Sequence, residues 1–229
     1  MNSNIDKNEL FPIFIKLNEI QSLIVGGGNV ALEKLTAILA NAPQAKIELV
    51  APEIKKEILE LIKDHSTCKV YHRKFDDTDL DEKDLIFLTT DDFELHTYIK
   101  SLTTKRHILT NTADTPDLCD FYLSSVVQKG QLKIAISTNG MSPTLAKRIK
   151  EMLNDVLPND INTTLSNLTQ IRQTLKGDFE YKVKALNKIT SVMTTPRPAL
   201  TQWGKIVVFI LLVLLLFGIG YAIGLSAQN

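Results

Sequence analysis

The fold of this 229-residue chain is decided by the stretch from Leu23 to Lys34, which reads LIVGGGNVALEK. An apolar run ends at three glycines, and an amphipathic segment follows them directly. Glycine permits a tight turn and a close approach of the backbone to a ligand. A glycine-rich turn between a strand and a helix is therefore typical of a loop that binds phosphate. The glycines alone do not identify the phosphate compound.

The sequence around this turn alternates between strand and helix patterns. Apolar, β-branched runs predict strands over Ser22–Val25, Ile47–Val50, Cys68–His72, Leu85–Thr89 and His107–Leu109. Apolar residues at helical spacing predict helices over Ala31–Leu39, Glu53–Asp64 and Asp92–Leu102. This alternation predicts an α/β fold over residues 1–120, with a Rossmann-like, doubly wound parallel sheet.

The pattern changes after residue 120. Two β-type runs flank a Lys129-Gly130 turn, which predicts an antiparallel hairpin. A helix should follow, with Ser142 as its N-cap and Pro143 at its first position. Helical spacing then continues to residue 193. We interpret residues 121–193 as a small hairpin with a helical dimerisation and substrate region.

The C-terminal part of the chain is strongly apolar. After a linker over residues 194–205, residues 206–225 contain no charge, and as a helix they would be about 30 Å long, enough to cross a bilayer core. Arg197 and Lys205 precede this run, so the positive-inside rule places residues 1–205 in the cytoplasm. The sequence thus predicts a single-pass transmembrane helix in a membrane protein, with a buried core helix as the alternative.

Charge and composition restrict the kinds of partner. The formal net charge is zero, but Asp and Glu predominate over residues 1–143, and Lys and Arg over residues 144–205. The basic part indicates an anionic partner or an anionic membrane surface, although a solvated helical face explains it equally well. We expect no nucleic-acid partner. We expect no metal site either, because His65, His72, His96 and His107 are scattered and the two cysteines form no metal-binding pair.

The glycine turn fits the fingerprint of a dinucleotide-binding loop, with Gly26, Gly28 and Ala31 at its three small positions. A helix that starts near Asn29 would offer free N–H groups and the positive end of its dipole to a pyrophosphate. The residues predicted to bind the cofactor here are Gly26, Gly27, Gly28, Asn29 and Val30.

Two further segments are candidates for the cofactor site. Glu53, just after the second strand, would bind the ribose hydroxyls, unless it is simply a carboxylate in the first turn of a helix. No basic residue follows that strand before Lys55, which favours NAD over NADP. Thr89, Thr90 and Asp91 end the fourth strand and would line the cofactor cleft, with helix capping as their alternative.

Six segments carry a resemblance to a known family: FPIFIKL (Phe11–Leu17), LIVGGGNVALEK (Leu23–Lys34), VAPE (Val50–Glu53), TTDD (Thr89–Asp92), NTADTPDLCDF (Asn111–Phe121) and ISTNGMSPTLAKRIKE (Ile136–Glu151). In this order they resemble the precorrin-2 dehydrogenase family, the NAD-binding module of sirohaem synthases. The chain departs from the family pattern at Ser124, Asn139 and His96, where proline, glycine and asparagine respectively are common. These departures concern local loop geometry more than the reaction.

The resemblance implies oxidation of precorrin-2, a reduced tetrapyrrole with eight carboxylates, to sirohydrochlorin with NAD as cofactor. It implies that Asp114 is the catalytic base; the residues alone favour an ordinary turn residue, because Asp114 precedes Thr115-Pro116. It suggests Thr138 as a substrate-binding residue, and we add Asn111, Lys147 and Arg148 as candidates. The alternative for Lys147 and Arg148 is that they are charges on a solvated helix face. It also implies a homodimer built through residues 144–190.

Other functions stay open at this point. Some relatives insert Fe²⁺ into sirohydrochlorin, and this chain could share that activity or be a chelatase that oxidises little. Alternatively it could be a membrane-anchored module that binds NAD as a regulatory signal, which would need neither Asp114 nor a tetrapyrrole pocket.

Overall fold

A five-stranded parallel sheet forms the centre of the fold. The structure is a computed structural model, and it describes residues 8–191. The strands are β1 (Gln21–Val25), β2 (Lys46–Ala51), β3 (Cys68–His72), β4 (Leu85–Leu88) and β5 (Leu109–Thr112). They lie in the order β3-β2-β1-β4-β5, and every neighbouring pair is parallel. The prediction of a Rossmann-like parallel sheet is confirmed.

Helices cover both faces of this sheet. The helices are α1 (Asn29–Asn41), α2 (Lys56–Ile62) and α3 (Phe93–Arg106). Ile24 and Phe87 pack on one face with Leu35 of α1 and Ile58 of α2, while Leu23 packs on the other face in the cluster that contains α3. Successive strand residues point to opposite faces, and both faces are buried. This explains why the strands read as continuous apolar runs.

The strand order creates a crevice at one edge of the sheet. β1 pairs with β2 on one side and with β4 on the other, so the order in which strands are added reverses at β1. In open parallel sheets, ligands bind beyond the carboxyl ends of the strands at such a switch point. The glycine turn follows β1 directly, at this edge.

The structure corrects two predicted boundaries. The fifth strand was expected over His107–Leu109 but begins at Leu109, because α3 continues to Arg106 and His107 then adopts a left-handed conformation with φ of +58°. The second helix was expected from Glu53 but begins at Lys56. The residues before Lys56 pack against the glycine turn instead.

A hairpin and a helix follow the parallel sheet. Strands β6 (Ser125–Lys129) and β7 (Leu132–Ile136) pair in the antiparallel sense, as predicted. Helix α4 (Pro143–Val156) begins where the sequence indicates, and the Ser142 hydroxyl accepts a hydrogen bond from the Leu145 N–H at 3.2 Å. The chain forms two compact units that divide after Asn162. The second contains most of α5 (Ile161–Thr174) and all of α6 (Phe179–Thr190).

The predicted membrane location, with residues 1–205 in the cytoplasm, is corrected. Between residues 8 and 191, no helix is long and apolar enough to cross a bilayer. The longest helices there have 14 residues, or about 21 Å at 1.5 Å per residue, against a hydrocarbon core of about 30 Å. The apolar run at residues 206–225 lies outside the described residues, and the membrane assignment is withdrawn.

Candidate functional site

The first glycine of the turn packs against the end of β4. Gly26 has φ of +122°, and a Cβ at this position would lie 2.5 Å from Thr89 Oγ1. Thr89 is buried, and its N–H and hydroxyl both donate to the Val25 carbonyl at 2.9 Å. Only glycine fits here, because both the backbone conformation and the space exclude a side chain. Thr89 thus fixes the floor of the crevice between β1 and β4.

The second glycine packs against the loop that follows β2. A Cβ on Gly27 would lie 2.2 Å from the Glu53 carbonyl oxygen, and the Gly27 carbonyl accepts a hydrogen bond from the Lys55 N–H at 3.0 Å. The Glu53 side chain is exposed. Since α2 begins only at Lys56, Glu53 is not a first-turn carboxylate of that helix. Its role toward a ribose stays a prediction.

The third glycine leaves the start of α1 open. Gly28 is the N-cap of α1, and a Cβ there would meet no atom within 4 Å. Within residues 8–191, no side chain caps α1, and its first turn carries no acidic residue. Asn29 is exposed and Val30 half-buried. An uncapped helix start beside an open glycine fits the pyrophosphate of a dinucleotide, because its N–H groups and dipole favour an anion.

A cation lies next to this helix start. Lys55 Nζ donates to Asn29 Oδ1 at 2.7 Å and lies 3.6 Å from a carboxylate oxygen of Glu57. The pKa of Glu57 is lowered, mainly by a hydrogen bond from its own backbone and then by the charge of Lys55. The sequence did not indicate this contact, because Lys55 reaches Asn29 through the path of an irregular loop that no periodicity describes.

The loop after β4 is held by a buried histidine. Thr90 Oγ1 lies 2.8 Å from His96 Nε2, and only 3% of His96 is exposed. Burial lowers the pKa of His96. Asp92 caps α3 by accepting from the Leu95 N–H at 2.9 Å, whereas Asp91 is exposed. The sequence analysis, in which His96 was one of four scattered histidines, did not indicate its contact with Thr90.

Asp114 lies just beyond the carboxyl end of β5. The Ala113 N–H still donates to the Leu88 carbonyl at 2.9 Å, and Asp114 then turns into the left-handed region with φ of +55°. Its side chain is exposed. The Cys119 thiol steadies the loop, since its sulfur accepts from the Thr112 N–H at 3.2 Å. The fold therefore presents the Asp114 carboxylate at the edge of the sheet where the glycine turn also lies.

Two buried polar atoms near the end of β5 lack partners. Asn111 and Thr112 are each 4% exposed. The Asn111 amide donates to the Phe121 carbonyl at 2.8 Å, but within the described part of the chain neither Asn111 Oδ1 nor Thr112 Oγ1 has a hydrogen-bond partner. Buried polar atoms in proteins normally have a partner, which a water or a ligand can supply. Substrate binding by Asn111 stays a prediction.

The other predicted substrate residues lie in the region of α4. Thr138 Oγ1 accepts a hydrogen bond from the Ser142 N–H at 3.2 Å and so shapes the turn into α4. Arg148 pairs with Glu151 at 2.7 Å, and Lys147 is exposed. Their roles toward a substrate stay predictions. Among residues 8–191, no group of three His, Cys, Asp or Glu side chains is placed to hold a metal ion.

Comparison with known proteins agrees with this geometry. Residues 13–125 match a family described as putative NAD(P)-binding, and residues 129–155 match the central part of a sirohaem biosynthesis protein. The sirohaem synthase of Psychrobacter cryohalolentis is 35% identical over 77% of this chain and 36% of its own length. That of Thioalkalivibrio sulfidiphilus is 33% identical over 66% of this chain and 30% of its own length. This chain therefore spans about a third of these relatives.

A solved structure provides a further comparison. The protein described as SirC, precorrin-2 dehydrogenase, has a TM-score of 0.62 and 27% sequence identity, covering 79% of this chain and 89% of its own. The parallel sheet, the glycine turn and the open start of α1 define a dinucleotide-binding protein that uses NAD. Within this class, the chain belongs to the precorrin-2 dehydrogenase family, the NAD-binding module of sirohaem synthases.

Proposed function

We propose that this chain oxidises precorrin-2 to sirohydrochlorin with NAD as the oxidant. One observation carries the proposal. At the carboxyl ends of the parallel strands, the start of α1 at Gly28 is open to an anion, and the carboxylate of Asp114 is exposed. The likeness to SirC, described as a precorrin-2 dehydrogenase, supports the substrate. The reaction converts precorrin-2 and NAD⁺ into sirohydrochlorin, NADH and a proton.

In this proposal, some residues bind the cofactor and another accepts the proton. NAD, when bound, accepts the hydride. Gly28 and the first N–H groups of α1 would hold the pyrophosphate, and Thr89 keeps the neighbouring strand ends in place. Asp114 takes the proton that leaves the macrocycle. Because Asp114 is exposed, it can then release that proton to water.

We assign the substrate and the partner subunit to the later part of the chain. In this proposal residues 1–120 hold the cofactor, and residues 121–193 contribute to substrate binding and dimerisation. Lys147 is exposed and could meet a substrate carboxylate. Leu145, Met152 and Val156 of α4 are large apolar side chains that are more than half exposed, which supports a homodimer formed through residues 144–190.

The proposal is tested by adding precorrin-2 and NAD to the purified chain. We expect sirohydrochlorin absorbance and NADH to increase in a one-to-one ratio. The Gly28→Asp variant should show neither, because its carboxylate would occupy the place of the pyrophosphate. A wild-type chain that binds NAD but leaves precorrin-2 unchanged would contradict the proposal and favour an NAD-sensing module.

A further inference from the structure

We propose that Lys55 adapts the cofactor site to a 2′-phosphate, so that the chain accepts NADP as well as NAD. This inference rests on the cofactor site of the proposed function and adds the specificity of that site. The sequence favoured NAD because no basic residue follows β2 immediately. The structure shows that the first basic residue of this loop nevertheless reaches the start of α1.

The position of Lys55 is fixed from two sides. Its N–H donates to the Gly27 carbonyl at 3.0 Å, and its ammonium donates to Asn29 Oδ1 at 2.7 Å. In dinucleotide-binding folds the pyrophosphate lies at the start of the first helix, and the adenosine ribose lies near the end of the second strand. Lys55 belongs to the loop after β2 and contacts the first residue of α1, so its ammonium lies between these two places.

The charge of Lys55 is only partly compensated. Asn29 Oδ1 is a neutral acceptor, so it orients the ammonium without cancelling its charge. Glu57 is 3.6 Å away, which is too long for a good hydrogen bond, and the side chains of this pair are 37% and 56% exposed. An exposed pair of this kind is weak. The ammonium therefore keeps the capacity to bind a phosphate.

Glu53 gives the same loop an opposite preference. Its exposed carboxylate, two residues before Lys55, suits the 2′-hydroxyl of NAD and would repel a 2′-phosphate. A loop that carries both an acceptor and a cation can hold either form of the ribose. Lys55 is thus the residue on which binding of NADP should depend most, whereas binding of NAD should depend on it much less.

Calorimetry on the full chain tests this inference without any turnover. The probes form two pairs: NAD with NADP, and 5′-AMP with adenosine 2′,5′-bisphosphate. The two members of each pair differ only by the 2′-phosphate. Loss of one charge-assisted hydrogen bond in Lys55→Gln should weaken the binding of NADP and of the bisphosphate roughly 10- to 100-fold. Affinity for NAD and 5′-AMP, which lack the 2′-phosphate, should fall far less. Lys55→Arg should retain NADP binding.

Lys56→Gln is the matched control, because Lys56 is the exposed neighbour of Lys55 and its ammonium makes no hydrogen bond or ion pair to the described residues 8–191. It should change none of the four affinities. If Lys55→Gln weakened the binding of NAD and of NADP equally, the inference would be overturned and Lys55 would be assigned to the pyrophosphate. Unchanged NADP affinity would overturn it as well. If the wild-type chain binds none of the probes, the cofactor site and the proposed function fail with it, whereas a failure to oxidise precorrin-2 leaves these measurements unaffected.

Discussion

Thr90 and His96 are joined by a hydrogen bond of 2.8 Å between Thr90 Oγ1 and His96 Nε2. Thr90 follows β4 at the crevice, and His96 lies on the buried face of α3. The bond therefore ties the loop at the candidate cofactor site to the first turns of the helix that follows it. Because burial lowers the pKa of His96, the folded protein favours the neutral ring.

This relationship predicts a pH-dependent stability. The pKa of His96 is below its ordinary value of 6.5 in the folded state, so between the two values the unfolded chain binds more protons. The contribution of His96 to stability is complete above about pH 6.5 and is lost as the pH falls through the lower, folded value. Asn cannot titrate, so His96→Asn should flatten this part of the profile. Denaturant unfolding of both proteins at several pH values measures the difference, and parallel profiles would contradict the prediction.

The glycine turn predicts opposite effects at adjacent positions. Gly28→Asp should abolish NAD binding but keep the fold, since the new side chain has free space and Asp is a favoured N-cap. Gly27→Ala should lower stability by about 1–3 kcal/mol, because its Cβ would collide with the Glu53 carbonyl. Calorimetry with NAD and denaturant unfolding distinguish the two effects. Intact NAD affinity in Gly28→Asp would show that the cofactor lies elsewhere.

The sheet and the glycine turn could be predicted from the sequence because their signals are local. Buried parallel strands are apolar throughout, and the fingerprint from Gly26 to Ala31 is contiguous in the chain. The predicted start of β5 was wrong, since nothing in the sequence showed that His107 would take a left-handed conformation and end α3. The membrane assignment rested on hydropathy alone, and it found no support in any helix between residues 8 and 191.

The contacts of Lys55 and His96 required the structure, although for different reasons. Lys55 reaches Asn29 because the loop after β2 folds back on the glycine turn, and no sequence pattern encodes that path. His96 did have a signal: it shares helical spacing with Ile99 and Thr103, both fully buried. A histidine on the buried face of a helix needs a hydrogen-bond partner. That partner, Thr90, was itself a predicted site residue.

The two aspartates after Thr90 should have separate roles. Asp92→Ala should lower stability by about 1 kcal/mol, because Asp92 caps α3 through the Leu95 N–H. Asp91→Ala is the matched control for stability and should leave it unchanged, since Asp91 is exposed and does not cap the helix. If Asp91 lines the cofactor cleft, its variant should instead change the affinity for NAD. Equal stability losses in both variants would be inconsistent with capping by Asp92 alone.

The last prediction concerns Asp114 as the proton acceptor. Asp114→Asn should keep the fold, because Asn is nearly isosteric and tolerates the left-handed φ of +55° that this position requires. NAD affinity should also be retained. Turnover of precorrin-2 should nevertheless fall by roughly 10²- to 10⁴-fold, the usual contribution of a positioned acid–base group. Steady-state oxidation of precorrin-2 and calorimetry with NAD measure the two quantities separately.

Asp117→Asn provides the control, because Asp117 is an exposed carboxylate in the short 3₁₀ helix that follows Asp114 (Pro116–Leu118) and should be dispensable. If Asp114 only shaped the turn, Asn would replace it equally well and the variant would be nearly as active as the wild type. Full dehydrogenase activity in Asp114→Asn would therefore refute its catalytic role. Insertion of Fe²⁺ into sirohydrochlorin should be assayed in parallel. Both reactions remove protons from the same macrocycle, so a shared base should make them fall together, whereas loss of oxidation alone would assign the two reactions to separate groups.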